Sequence, residues 1–336
     1  MQRKYDMTPF YRRIISDAWK IAWSHKHLWV FGFFATLIGF GGVTEVFFNA
    51  YDRTGDVLPL AAARGSLASL VPGLTTIKAV ISYSSYPALS LLIFFIVGTL
   101  LSAVFAWMTL VSVGALISAA RKIVKGGEPM FGDSIKAGSE RFWRLLGVNL
   151  LSKAVIVLAL VMTGANLFIL MKDRTLLSGL FYVGSFIIFT GISFIASLGA
   201  VFGSIGVMAK DETLESSVNN ALKLIAEHWL VSLEMAVLLF VVSLATGVAV
   251  ALAALVFSVP IIFFLVVASV FKAQAAAWTL MTISALMLLV MVVSLGSFLT
   301  TLQTTAWKLL WSELAERKPT SKLLRFAHRI RQIGKH

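Results

Sequence analysis

Three ionisable residues stand out in the long apolar runs: Lys153, Glu234 and, near the outer end of its run where it reads as interfacial, Glu45. A charge at bilayer depth is costly, so such residues turn toward an interior, pair with a partner, or reach back to the headgroups. Lys153 and Glu234 occupy comparable places in their runs, and a Lys153–Glu234 pair would neutralise both. The chemistry on offer is a structural pair or a polar point on a transport path. The 5 histidines are scattered. His25 and His27 are two apart, which does not put both on one helix face. They read as polar groups at an interface rather than as a metal site. The chain has 0 cysteines, which excludes thiolate metal sites, disulfides and cysteine nucleophiles. No HExxH, no GxSxG, no phosphate-cradling glycine loop and no paired-acid motif occurs. The expectation is a protein that is not an enzyme and carries no cofactor or metal.

The elements that must position these residues are membrane spans. Of the 336 residues, 58% are hydrophobic and 13% charged. Soluble domains carry about 45–50% apolar and about 25% charged residues. The excess is gathered into runs of about twenty residues or more, the length that crosses a hydrocarbon core of roughly 30 Å. The fold class expected is all-α, a polytopic transmembrane bundle of six spans. They run from about Leu28 to Phe48 and from about Ala88 to Ala119. The third and fourth lie within Leu145–Leu170 and Leu180–Met208. The fifth and sixth run from about Trp229 to Phe257 and from about Trp278 to Leu310. Pro260 predicts a helix end or kink near Ser258, with Ile261–Phe271 as a short interfacial or re-entrant piece. A seventh span there is the alternative, and it would carry the C-terminus to the other side.

Charge orients the spans. The net charge is +13, and with six spans 22 of the 29 Lys and Arg fall on the side of the N-terminus, against 6 on the other. The positive-inside rule then places both termini in the cytoplasm of a multi-pass inner (plasma) membrane protein. Basic residues beside apolar runs point to membrane lipids with anionic headgroups as partners, with a protein partner also open and nucleic acid not expected.

The spans group into three helix pairs, each entered through a short amphipathic interfacial helix and a tryptophan: Trp29, Trp143 or Trp229. The units cover about 8–124, 131–208 and 213–314 of a bundle reaching residue 318. Thr8-Pro9, Asp133-Ser134 and Asp211 to Thr213 offer helix starts. The second and sixth spans are too long for the bilayer and are expected to extend as basic stalks, the second stopped by Gly126-Gly127. Gly199 and Gly203 form a GxxxG expected to seat a neighbouring helix. The tail, 319–336, is a basic amphipathic segment with Lys322, Arg325, Arg329 and Arg331 on its cationic face.

Three stretches carry a family likeness. They are Asp133-Ser134-Ile135-Lys136-Ala137 with Arg141-Phe142-Trp143-Arg144, the echo Ser216-Ser217-Val218-Asn219-Asn220-Ala221-Leu222-Lys223, and Thr305-Ala306-Trp307-Lys308-Leu309-Leu310-Trp311. Together with Ala18-Trp19-Lys20 and Leu28-Trp29 they resemble the bacterial six-span membrane domain attached to some glycerophosphodiester phosphodiesterases, and its stand-alone relatives. The hydrolase part that defines those enzymes is absent from this sequence, so the resemblance carries no catalytic residue. The expected function is organisation of lipid, envelope or partner proteins. The alternative is a transporter or channel for a small or lipid-like solute.

Overall fold

A computed structural model of the chain describes residues 10–36, 87–172, 175–271 and 273–317. Among these the regular structure is helical. The helices are α1 (Phe10–Ser24), α2 (Leu28–Thr36), α3 (Pro87–Val124), α4 (Phe131–Glu140), α5 (Phe142–Lys172), α6 (Leu176–Lys210), α7 (Leu214–Val270) and α8 (Gln274–Arg317). Five of them, α3 and α5 to α8, are long and apolar enough to cross a membrane. Of the first expected span, α2 is the described part, and 37–48 lies outside the described residues.

In the second and third units a short helix, a break and a long helix follow one another, and in the first the described part is a short helix, a turn and the nine residues of α2. The break after α1 is the turn at His25–His27, where Leu28 N–H donates to the His25 carbonyl at 2.9 Å. The break after α4 is Arg141, with φ −107° and ψ 12°. The third break is His228, with φ −128° and ψ 30° inside α7. So α7 is a short helix joined end-on to a span. The helix starts are mixed. The Thr213 hydroxyl accepts from the Ser216 amide at 3.4 Å, as a cap should. Asp133-Ser134 does not cap: α4 begins earlier, after Met130, and Asp133 sits in its first turn beside the positive end of the helix dipole. Thr8-Pro9 lies outside the described residues.

Pro260 does not break its helix. Among the described residues of α7 only His228 departs from helical backbone, and the chain turns later, before α8 begins at Gln274. The reason is local accounting. Keeping the helix sacrifices one backbone bond, whereas breaking it among apolar side chains strands several donors and acceptors. The Ser258 hydroxyl also donates to the Leu255 carbonyl at 2.7 Å beside the site. α3 ends as expected. Gly126 takes φ +81°, and the Gly127 amide donates to the Lys122 carbonyl at 3.0 Å. The Gly126 amide donates to the Ile123 carbonyl at 2.9 Å, completing a left-handed stop.

α8 is the hub, packing against α1, α2, α3, α6 and α7. α1 runs antiparallel along it. Tyr11, Ile14, Ala18 and Ala22 form a buried stripe at helical spacing, and Leu302, Ala306 and Leu310 of α8 are buried in the same core. The core therefore lies toward the charged end of the bundle. Away from it, α3 from Leu89 to Trp107 and α7 from Phe240 to Val270 expose large apolar side chains.

Candidate functional site at the charged end of the bundle

The C-terminal ends of α3, α6 and α8 meet the N-terminal ends of α4, α5 and α7, so their charges gather at one end. Asp211 follows α6 in a left-handed conformation (φ 59°), which a short Asp side chain tolerates better than most. Arg141 donates to its carboxylate at 2.9 Å through Nε, and Arg144 lies at 2.9 Å through Nη2. Arg144 also donates to the backbone carbonyls of Asp211 and Glu212, both at 3.1 Å. Two arginines at the start of α5 thus hold the α6–α7 turn. The hydrogen bond and charge of Arg141, with Arg144 behind it, hold the Asp211 carboxyl below its ordinary range. Lys122 on α3 does the same for Asp133 on α4, through a 2.7 Å bond.

α1 is tied to the same end. Arg13 donates to Glu313 at 2.9 Å. The Tyr11 hydroxyl donates to the Glu234 carboxylate on α7. Lys308 on α8 is buried, at 5% exposure. Lys153 is exposed on α5 and Glu234 half-buried on α7. The polar groups inside the bundle therefore include Tyr11, bonded to Glu234, and the buried Lys308. Sequence reasoning passed over both. Tyr11 belongs to the apolar stripe of α1, and Lys308 sits between Trp307 and Trp311 among many basic residues.

The three tryptophans differ. Trp143 and Trp229 are 78% and 59% exposed, as an indole at headgroup depth would be. Trp29 is half-buried, and its Nε1 donates to the Ala22 carbonyl at 2.7 Å. It joins Trp19 and Trp23 around Phe298 of α8, with ring centroids 4.8 to 5.8 Å from that ring. Trp29 thus helps lock the α1–α2 turn onto α8. His25 and His27 make an edge contact, 5.9 Å between centroids, in that turn. Burial first, then the charge of His25, lowers the His27 pKa. The tail residues Lys322, Arg325, Arg329 and Arg331 lie outside the described residues.

Glycine spacing divides into contacts and openings. A Cβ at Gly203 would stand 2.9 Å from the Val148 side chain, so Gly203 seats a neighbour as its motif implied. A Cβ at Gly199 would meet nothing within 4 Å. Gly199 instead lines an apolar groove of about 220 Å³ between α5, α6 and the first turns of α7, walled by Val148, Val155, Ile195, Val218 and Leu222.

On the other flank of the same α7 segment is a cleft of about 240 Å³. Lys210, Glu212, Asn220, Lys223, Glu227 and Trp311 line it. Asn220 donates to Glu212 at 3.0 Å, and the Lys210 ammonium lies 5.2 Å from the Trp311 ring centroid. Deeper on α7, His228 Nε2 and the Ser232 hydroxyl are buried without a hydrogen-bond partner.

Comparison of the chain with protein-family models, with curated proteins and with solved structures found no match.

Proposed function

We propose that this is a non-catalytic integral membrane protein that organises lipid, with or without a partner protein, at a basic cytoplasmic face of a bacterial inner membrane. The observation that carries the reading is the gathering of cations from α3, α5, α6 and α7 at one end of the bundle, level with the start of the spans at Trp143 and Trp229. Cations there stand where anionic headgroups lie, and the exposed indoles suit the same depth. The apolar groove opening beside Gly199 gives an acyl chain a seat nearby. The six-span topology, the interfacial placement of the short helices and the likeness to the phosphodiesterase-associated membrane domain belong to this proposal.

The test is sedimentation of nanodisc-free, detergent-purified protein with vesicles of mixed anionic and zwitterionic lipid. Binding should rise with anionic content, fall with salt, and weaken when the chain ends before Pro319. Equal binding to purely zwitterionic vesicles would refute the reading. A reporter fused after His336 should be active in the cytoplasm, and a periplasmic signal would refute the orientation.

A second reading, transport of a small or lipid-like solute, is favoured by the buried Lys308 and the Tyr11–Glu234 contact inside the bundle. It keeps the proposed Lys153–Glu234 pairing as its test. In proteoliposomes, Lys153→Gln with Glu234→Gln should abolish solute flux if the protein transports. The same double change should leave lipid binding intact if it organises lipid.

A further inference from the structure

The cleft at the end of α6 has a composition that a general anionic surface does not need. Lys210 and Lys223 bring two ammonium groups to it, and Glu212 and Glu227 bring two carboxylates. A lone anion entering there meets like charge from the glutamates, and a lone cation meets it from the lysines. A ligand carrying both signs meets each with its opposite.

The cleft is also built. The Glu212 carboxylate packs close over Gly206, with a Glu212 oxygen 2.7 Å from where a Cβ on Gly206 would stand, so a side chain there would have to push it aside. Asn220 fixes it from the other side at 3.0 Å. The Ser217 hydroxyl donates to the Gly203 carbonyl at 2.6 Å, anchoring the α7 wall to α6. Trp311 presents an indole already covered by the Lys210 ammonium, a surface that accepts a cation. At about 240 Å³ the cleft is below the roughly 300–1,000 Å³ of drug-sized sites, so it admits a small head rather than a large solute.

We infer that this cleft binds a small zwitterion bearing one ammonium and one phosphate or carboxylate. The ammonium would lie toward Glu227, Glu212 and the Trp311 face, and the anionic group toward Lys223 and a displaced Lys210. The same chemistry is offered by an aminoethyl-phosphate lipid headgroup and by a free zwitterion in solution. The inference deepens the lipid-organising proposal and rests on it for the headgroup source only.

The experiment uses the full chain purified in detergent. Calorimetry with O-phosphoethanolamine probes the free zwitterion. Retention of phosphatidylethanolamine against phosphatidylglycerol, measured by native mass spectrometry, probes the headgroup. Saturable binding of O-phosphoethanolamine, or preferential retention of phosphatidylethanolamine, is expected. Lys223→Gln with Glu227→Gln should weaken whichever binds by about tenfold or more, the effect of losing one charge-assisted contact. Gly206→Leu, which pushes Glu212 out of the cleft, should do the same. Lys125→Gln, outside the cleft, should leave binding unchanged. Binding of the soluble probe alone assigns the free source, and retention of the lipid alone assigns the headgroup. If neither probe binds wild type, or phosphatidylglycerol is retained as well as phosphatidylethanolamine, or the double variant binds like wild type, the inference is overturned. Failure of the anionic-vesicle experiment with intact O-phosphoethanolamine binding would remove the lipid reading and leave the cleft.

Discussion

Arg141, which breaks the chain between α4 and α5, donates to the carboxylate of Asp211, the left-handed residue that ends α6, at 2.9 Å. One contact therefore fixes the entrance of one span against the exit of the next. Asp211 contributes in two separable ways, through its backbone and through its charge. Asp211→Gly keeps the left-handed turn at no steric cost and removes the carboxylate. Asp211→Val removes the carboxylate and strains the turn as well. Thermal unfolding in detergent should rank wild type above Asp211→Gly, and Asp211→Gly above Asp211→Val. Equal midpoints for the two variants would mean that the turn conformation does not matter.

The same pair sets an acid response. Asp211 and Asp133 have carboxyls depressed below the ordinary 3.8 by Arg141 and Lys122. A depressed carboxyl stabilises the fold fully above the unfolded value and loses that contribution as pH falls through the folded one. The midpoint should therefore change little between about pH 7 and about pH 5 on their account, then drop below about pH 4. Arg141→Ala with Lys122→Ala should flatten that drop. An acid limb as steep in the double variant as in wild type would exclude these two pairs as its source.

Tyr11 and Glu234 are joined across 223 residues of sequence. Tyr11→Phe keeps the ring in the α1 stripe and removes the donor, at a cost of about 1–3 kcal/mol for a bond to a charged acceptor. Glu234→Gln keeps an acceptor and loses the charge. A double-mutant cycle should give a coupling of about 0.5–3 kcal/mol. Strict additivity would show that the hydroxyl and carboxylate do not depend on one another.

Two glycines at helix surfaces should respond oppositely. A Cβ on Gly32 would lie 2.2 Å from the Ser297 carbonyl oxygen and 2.6 Å from the Thr301 hydroxyl, so α2 has to lift from α8. Gly32→Ala should cost about 1–3 kcal/mol, the usual penalty of overpacking. Gly199→Ala meets open space and should be neutral or stabilising by up to about 1 kcal/mol through helix propensity. Thermal melts of the two variants check both, and a destabilised Gly199→Ala would show that the groove is closed by something the single chain does not supply.

The breaks at His25–His27, Arg141 and His228 came from the structure, whereas sequence alone determined the long apolar helices and the charged end. These follow from span length, from Lys and Arg counts, and from short-range periodicity, all of which are local. The stop at Gly126 was equally legible, because a left-handed glycine after a helix is a backbone property. Pro260 misled for the complementary reason. Its local preference is to break a helix, and the surrounding apolar environment makes a break costlier than one lost bond. Tertiary structure alone decided where each face goes. Periodicity shows that α1 has an apolar stripe; whether lipid or protein covers it depends on α8, almost 300 residues away, which packs against α1 and buries Leu302, Ala306 and Leu310 in the same core. For that reason Trp29 was legible as an interfacial residue but not as a packing partner of Phe298. For that reason too, Tyr11 came to Glu234, Lys308 became buried, and the mixed charges of Lys210, Glu212, Lys223 and Glu227 came to line one cleft.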